Sequence, residues 1–98
     1  MVGLIMGKKK KNGPYKKSSW TSHLGRLTEK GNLKNGKLDG VFEIYYDNGQ
    51  LYTRGNYTYG IPVGLWEYFH ASGLLQRKTH YNEQGAEDYY FEENYHEN

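Results

Sequence analysis

The stretch Gly40-Val-Phe-Glu-Ile-Tyr-Tyr-Asp-Asn-Gly-Gln-Leu51 decides the fold of this chain, because a similar stretch follows it 24 residues later. That second stretch is Gly64-Leu-Trp-Glu-Tyr-Phe-His-Ala-Ser-Gly-Leu-Leu75. The same spacing relates Gly25, Gly49 and Gly73, then Leu27, Leu51 and Leu75, and then Leu33, Tyr57 and Tyr81. A fixed period of this size is typical of stacked supersecondary units that bury a core between neighbours. Such arrays usually present an extended surface, which favours binding over catalysis.

Asn48-Gly49 predicts a β-hairpin turn, because a type I′ turn requires positive φ at both central positions and Asn and Gly supply it cheaply. A two-residue turn there pairs Phe42 with Gly55, Ile44 with Thr53 and Tyr46 with Leu51 on one face, and Glu43 with Arg54 and Tyr45 with Tyr52 on the other. The same construction from Ser72-Gly73 places Glu67 opposite Lys78. An acid therefore faces a base in both predicted hairpins, which supports the register.

This register predicts two unlike faces for the ribbon. The more apolar face is expected to be the packed one, and it carries Phe42, Ile44, Leu51, Tyr57, Trp66, Tyr68, Leu75 and Tyr81. The reverse face is expected to be wetter, with partial exposure of Tyr45, Tyr52, Phe69 and Lys78. Because aromatic residues are over-represented at binding hot spots, these four residues are the candidate surface for recognition of a protein.

The composition agrees with a small all-β domain. Among 98 residues there are eleven Tyr, thirteen Gly and only two Pro, which describes short aromatic strands separated by glycine turns. A chain of this length buries a thin core, so a deep catalytic cleft is not expected. The absence of cysteine excludes disulfides and thiolate chemistry. With no signal-peptide pattern in the first residues, a cytoplasmic location is expected.

Charge distinguishes the beginning of the chain from its end. Ten of the thirteen Lys and Arg residues lie between Lys8 and Lys37, whereas residues 82–98 hold six acids and no Lys or Arg. Residues 1–17 show no strand or helix periodicity and are predicted to form a mobile basic arm ahead of a repeat domain at 18–98. The lysines of the arm are Lys8, Lys9, Lys10, Lys11, Lys16 and Lys17. They suit a nucleic acid or an anionic surface, and the opposite charges of the two ends also suit head-to-tail self-association.

Catalytic and metal-binding arrangements are not expected. The four histidines, His23, His70, His80 and His96, lack the spacing of a ligand pair. Glu43 and Glu67 are two carboxylates on one face, as in glycoside hydrolysis, but each has a predicted cationic partner across the strand. A structural role for these two acids is the better interpretation. The sequence thus predicts a non-enzymatic protein with no metal and no cofactor.

The pattern Gly-x-(Phe/Trp)-Glu-x-(Tyr/Phe)-x-x-x-Gly-x-Leu, followed after five residues by Tyr, resembles the membrane occupation and recognition nexus (MORN) repeat. The closest likeness is to the variant common in small bacterial and phage proteins. It covers residues 40–51 and 64–75, and the second strand of the unit from Gly25 to Gly36. The resemblance implies hairpins stacked edge to edge in a curved, elongated sheet. It also implies a protein-interaction or phospholipid-associated module, or an antitoxin-like factor.

Taken together, the sequence predicts an all-β fold, an elongated antiparallel meander of stacked hairpins with a 24-residue repeat. Strands are expected at about 42–46, 50–57, 65–70 and 74–81, with little helix. The expected function is binding of a protein partner, as an inhibitor or antitoxin-like factor, through the aromatic sheet surface. The alternative is a nucleic-acid-binding protein that uses the basic arm.

Overall fold

The computed structural model of the protein describes residues 11–92. In this part of the chain one open antiparallel sheet of eight strands is present, and there is no helix. The strands are β1 (Gly13–Thr21), β2 (Gly25–Lys34), β3 (Lys37–Leu38), β4 (Gly40–Tyr46), β5 (Leu51–Thr58), β6 (Ile61–Phe69), β7 (Leu75–Tyr81) and β8 (Glu87–Glu92). They neighbour one another in the order β1-β2-β4-β5-β6-β7-β8, and the short β3 pairs with β2. The predicted all-β antiparallel fold is confirmed.

The loop between β4 and β5 is one residue longer than predicted. The Tyr46 amide donates to the Gln50 carbonyl at 2.8 Å and the Gly49 amide donates to the Tyr46 carbonyl at 3.0 Å, which leaves a three-residue loop. Gly49 has a φ of 88°, but Asn48 is not in the left-handed region. The type I′ prediction is therefore wrong here. The Asn48 side chain instead accepts a hydrogen bond from the Gln50 amide at 2.9 Å.

Two-residue loops with positive φ at both central positions occur at the opposite end of the strands. Asn35 and Gly36 have φ values of 51° and 81°, and Tyr59 and Gly60 have values of 51° and 86°. Positive φ is uncommon for a bulky side chain. Tyr59 is held there because its amide donates to the Asp39 carboxylate at 2.8 Å. The loops that connect one predicted hairpin to the next are thus tighter than the turns predicted within the hairpins.

The longer loop changes which residues face each other near it. Phe42, Glu43 and Ile44 pair with Gly55, Arg54 and Thr53 as predicted, but a β-bulge then pairs Tyr45 with Leu51. A bulge in the next hairpin pairs Phe69 with Leu75. A one-residue shift moves a side chain to the other face. The prediction that Leu51 and Leu75 lie on the packed face is therefore wrong.

The core lies on one face, which we call the aromatic face and define by Phe42, Tyr57, Trp66, Tyr68 and Tyr81. Phe42 and Trp66 are only 5% and 4% exposed, and the Tyr57 ring meets both of them edge-on at centroid distances of 5.2 and 5.1 Å. Because Gly55 has no side chain, the Trp66 indole lies directly on its backbone. The predicted burial of Phe42 and Trp66 is confirmed.

The beginning of the described chain is a strand and not an arm. Residues Gly13 to Lys17 belong to β1, which pairs with β2 along its full length. The expectation that residues up to 17 lack strand structure is wrong for this segment, because alternation is hidden when an edge strand is solvated on both faces. The Lys11 carbonyl accepts a hydrogen bond from the Gly36 amide at 2.8 Å. Lys8, Lys9 and Lys10 lie outside the described residues.

Candidate binding surface

A row of charged side chains crosses the face opposite the aromatic face, and we call this side the charged face. The strand registers bring together one residue from each of the strands β1, β2, β4, β5, β6 and β7. These residues are Lys16, Lys30, Glu43, Arg54, Glu67 and Lys78. From Lys30 onwards the sign of the charge alternates. The predicted pairing of Glu43 with Arg54 is confirmed, with the Arg54 Nε atom 3.2 Å from the Glu43 Oε2 atom. Glu67 and Lys78 are also in the predicted register.

Glu43 is the centre of the polar contacts in this row. Its Oε1 atom accepts a hydrogen bond from the Tyr45 hydroxyl at 3.1 Å, and the Lys30 Nζ atom lies 5.1 Å from the Tyr45 ring centroid. Burial, and then the hydrogen bond and the charge of Glu43, raise the pKa of Tyr45. Arg54 is in register with both Glu43 and Glu67, but the ion pair in this row is the one that it forms with Glu43.

Apolar side chains flank the charged row on both sides. Toward the β4–β5 loop, Tyr45 pairs with Leu51 and Phe69 pairs with Leu75. Toward the other end of the strands lie Val41, Leu65 and Tyr89, which are 46%, 45% and 52% exposed. Exposed apolar groups beside ordered charges are typical of surfaces that bind another protein.

Three of the four predicted surface residues share this face. Tyr45, Phe69 and Lys78 lie on the charged face, as their strand pairs show. Tyr52 does not, because it is the extra residue of the β5 bulge. Its ring lies edge-on between Tyr46 and Tyr68, at centroid distances of 5.2 and 5.8 Å. Tyr52 therefore contributes to the aromatic face, and its assignment to the wetter face is wrong.

Val41, Leu65 and Tyr89 were missed as candidates in the sequence. A usable signal was present, since Val41 and Leu65 each lie two residues before an acid of the charged row and must share its face. Tyr89 could not be placed in this way, because no hairpin turn ahead of β8 was predicted. That turn closes through Asn82, whose amide donates to the Ala86 carbonyl at 2.9 Å and whose carbonyl accepts from the Gly85 amide at 2.9 Å.

An open depression of about 390 Å³ lies at the β1–β2 end of the charged face. It is lined by Lys16, Ser18, Arg26, Thr28, Lys30, Tyr45 and Gly49. The Ser18 Oγ and Thr28 Oγ1 atoms are 2.9 Å apart within it. Of the described lysines of the predicted arm, Lys16 contributes to the depression, whereas the adjacent Lys17 pairs with Glu29 on the aromatic face. The depression suits an anionic group.

No family model, curated protein or solved structure matches the chain.

Among residues 11–92, no group of three His, Asp or Glu side chains is placed to hold a metal ion. His80 and Asp88 form a pair, with 2.7 Å between the Nδ1 and Oδ1 atoms. In the same range, no helix is present that could cross a membrane.

Proposed function

We propose that the chain is a non-enzymatic module that binds a protein partner through its charged face. The observation that supports this most directly is the exposure of Val41, Leu65 and Tyr89, each between 45% and 52%, beside an ordered row of charges. Protein interfaces combine a desolvated apolar centre with polar groups around it. Charges held in a fixed alternating order favour a partner with the complementary order, which provides specificity more than affinity.

The aromatic face is the less suitable surface for a partner. Its two buried aromatic side chains, Phe42 and Trp66, are already covered by their neighbours. Tyr46 also has its polar atom engaged, since its hydroxyl donates to the Phe69 carbonyl at 2.7 Å. A partner would gain little by covering groups that are already buried. On the charged face, by contrast, the apolar side chains still expose surface that a partner could remove from water, and burial of that surface favours binding.

We also propose that the sheet is built from 24-residue units of the MORN type. Two observations support this organisation. Phe42 lies over Gly31 as Trp66 lies over Gly55. The two loops that contain Asn48 and Ala71 are joined by a hydrogen bond of 3.2 Å, which the Asn48 side-chain Nδ2 atom donates to the Ala71 carbonyl. In this proposal the module acts as an inhibitor or antitoxin-like factor that occludes a surface of its partner.

The test is capture of a partner from native lysate by the immobilised full chain and by matched variants. Leu65→Ser removes an apolar group of the charged face, and Leu74→Ser removes one of similar exposure, 47%, from a loop. We expect capture to fall about fivefold or more for Leu65→Ser, since a hot-spot residue contributes more than about 1 kcal/mol, and to persist for Leu74→Ser. Equal capture by both folded variants would contradict the assignment of the face.

A second candidate function is binding of nucleic acid at the depression of Lys16, Arg26 and Lys30. The cluster of three cations from two neighbouring strands favours it. Affinity for a single-stranded oligonucleotide should then fall steeply with salt. Arg26→Gln should weaken binding, whereas Lys34→Gln, exposed on the same strand but outside the depression, should not. Salt-independent binding of the oligonucleotide would contradict this candidate.

A further inference from the structure

The charges on the central strands of the charged face are arranged in an order that is its own complement. Across β4, β5, β6 and β7 the order is Glu43, Arg54, Glu67 and Lys78, so the sign alternates from strand to strand. Arg54 uses its Nε atom for the ion pair with Glu43, and a guanidinium has further N–H donors. Within residues 11–92, Glu67 and Lys78 form no ion pair. Another molecule can therefore pair with these charges.

A second copy of the chain, placed face to face with the first, supplies the matching order. The two-fold axis that achieves this runs along the strands and lies between β5 and β6. A half-turn about it exchanges β5 with β6 and β4 with β7. Arg54 then lies opposite Glu67 of the second copy, and Glu43 lies opposite Lys78 of the second copy. Because the rotation is two-fold, each of these contacts between opposite charges occurs twice.

The other two-fold placements are less favourable in charge. An axis on β5 places Arg54 opposite its own copy, and an axis across the strands does the same for every residue of the row. An axis between β4 and β5 leaves Lys16 opposite Lys78. An axis between β6 and β7 overlaps fewer strands and uses only Glu67 and Lys78. Like charges that face each other suppress an arrangement, so the charge order favours the axis between β5 and β6.

The apolar side chains of the charged face match under the same rotation. Tyr45 pairs with Leu51, and Phe69 pairs with Leu75. The half-turn places Leu51 opposite Phe69 of the second copy and Tyr45 opposite Leu75 of the second copy. On the other side of the charged row, Leu65 is 45% exposed and lies on β6 beside the axis, so its two copies meet. Apolar burial then supplies affinity, whereas the charges fix the register because interfacial ion pairs roughly offset their own desolvation.

The overlap of the two copies is large enough for a specific interface. The rotation superposes six strands, namely β2 and β4 to β8. Six strands about 4.8 Å apart and about seven residues long, with a rise of about 3.3 Å per residue, present a face of about 650 Å² per copy. Specific interfaces bury about 1,200 to 2,000 Å² in total. Stacked sheets are rotated by about 30°, so the contacts nearest the axis, at Arg54, Glu67 and Leu65, are the closest.

We propose that the chain forms a two-fold symmetric dimer in which the charged faces of two copies pack together. This inference rests on the proposed function, because it names a second copy as the partner of the same face. The contact is isologous and closes after two copies. It therefore produces a dimer and no larger assembly.

Sedimentation velocity of the full chain over a range of concentrations measures the association. We expect monomer to convert to dimer as the concentration rises. Leu65→Ser should raise the dissociation constant about fivefold or more, as expected for a hot-spot residue, whereas Leu74→Ser should leave it unchanged. A monomer at every concentration would overturn the dimer. If that monomer still captured another protein through Leu65, the proposed function would stand, and equal capture by the two variants would contradict that function separately.

Charge reversal tests the position of the axis. Arg54→Glu and Glu67→Arg each place like charges opposite one another in a homodimer, so each variant alone should bind itself about tenfold more weakly or worse. In a mixture of the two variants, opposite charges face each other at both positions. The mixture should therefore dimerise again, which an unfolded variant could not do. Glu83→Arg, exposed in the turn between β7 and β8, is the control for net charge and should dimerise normally.

Two results would overturn the proposed axis. One is equal weakening by Glu67→Arg and Glu83→Arg, which would attribute the effect to net charge. The other is a mixture that stays monomeric although both variants keep the β-sheet signal in circular dichroism. Should either variant fail to fold, the pair Glu43→Lys and Lys78→Glu tests the same axis, because these two residues also face each other. Its mixture should dimerise, and its failure to do so would overturn the axis as well.

Discussion

The two faces of the sheet are built from the same strands but differ in what their side chains contact. On the aromatic face, rings lie on glycines and on each other, and Trp66 is only 4% exposed. On the charged face, the Arg54 and Glu43 side chains that form an ion pair remain 58% and 22% exposed. A single sheet with one packed face can therefore obtain its stability there and leave the other face in contact with solvent. The difference predicts large stability losses on one side and small ones on the other.

The largest loss is expected for Trp66→Ala. Removing this indole should destabilise the protein by about 3 to 5 kcal/mol, because a buried aromatic side chain is replaced by a cavity. Thermal unfolding followed by circular dichroism measures the change. Trp20→Ala is the control, since Trp20 is 75% exposed and its removal should leave the melting temperature nearly unchanged. Equal melting curves for the two variants would refute the difference between the faces.

A smaller loss is expected for Gly55→Ala. A Cβ atom here would overlap the Trp66 indole, whereas one at Gly31 would approach Phe42 at 3.1 Å, a contact that a small shift relieves. Overpacking of this kind costs roughly 1 to 3 kcal/mol, so Gly55→Ala should lower stability more than Gly31→Ala. In the Trp66→Ala background, Gly55→Ala should cost much less. Additive losses in denaturant unfolding would show that the two residues do not interact.

Alkaline pH should lower the stability of the fold, because tyrosine side chains lose their protons there. Burial raises the pKa of Tyr57, and the nearby Tyr68, Glu29 and Tyr81 add to this. The folded state then keeps its proton at a pH where the unfolded state loses it, so stability is complete below pH 10 and falls as pH rises through the higher folded pKa. Melting temperatures between pH 9 and 12 would measure the fall. Tyr57→Phe should make it less steep, and an unchanged slope would contradict the assignment.

The smallest change is expected for Glu43→Gln on the charged face. An exposed ion pair contributes about 0 to 1 kcal/mol, and the glutamine can still accept the hydrogen bond of Tyr45. The loss in stability should decrease further in high salt, because screening weakens the pair in the wild type too. Urea unfolding at two salt concentrations measures it. A loss comparable to that of Trp66→Ala would show that the charged face contributes to the core.

The central sheet could be predicted from sequence because independent signals agreed there. The acid and base pairs, the alternation of aromatic residues and the glycines all favoured one register, and the structure has that register from Phe42 to Ile44. Near the loops the prediction failed. Asn48-Gly49 is compatible with both a two-residue and a three-residue loop. The structure has the longer loop, and the β-bulge beside it places Tyr52 on the aromatic face.

The edges of the sheet were harder to predict. β1 is exposed along most of its length, so its sequence does not need the alternation by which half-buried strands are recognised. The depression on the charged face was missed for a related reason. Arg26 and Lys30 lie on β2, distant in sequence from the lysines of the predicted arm, and only the pairing of β1 with β2 brings them beside Lys16.

The different surroundings of the two tryptophans make the protein its own optical reporter. Trp66 is enclosed by rings, and its Nε1 atom has no hydrogen-bond partner among residues 11–92, so its fluorescence should be emitted at shorter wavelength than that of an indole in water. Trp20 lies on the edge strand β1 in contact with solvent and should emit at longer wavelength. Loss of the first component would signal unfolding. A shift in the second alone would signal that something has docked at the edge.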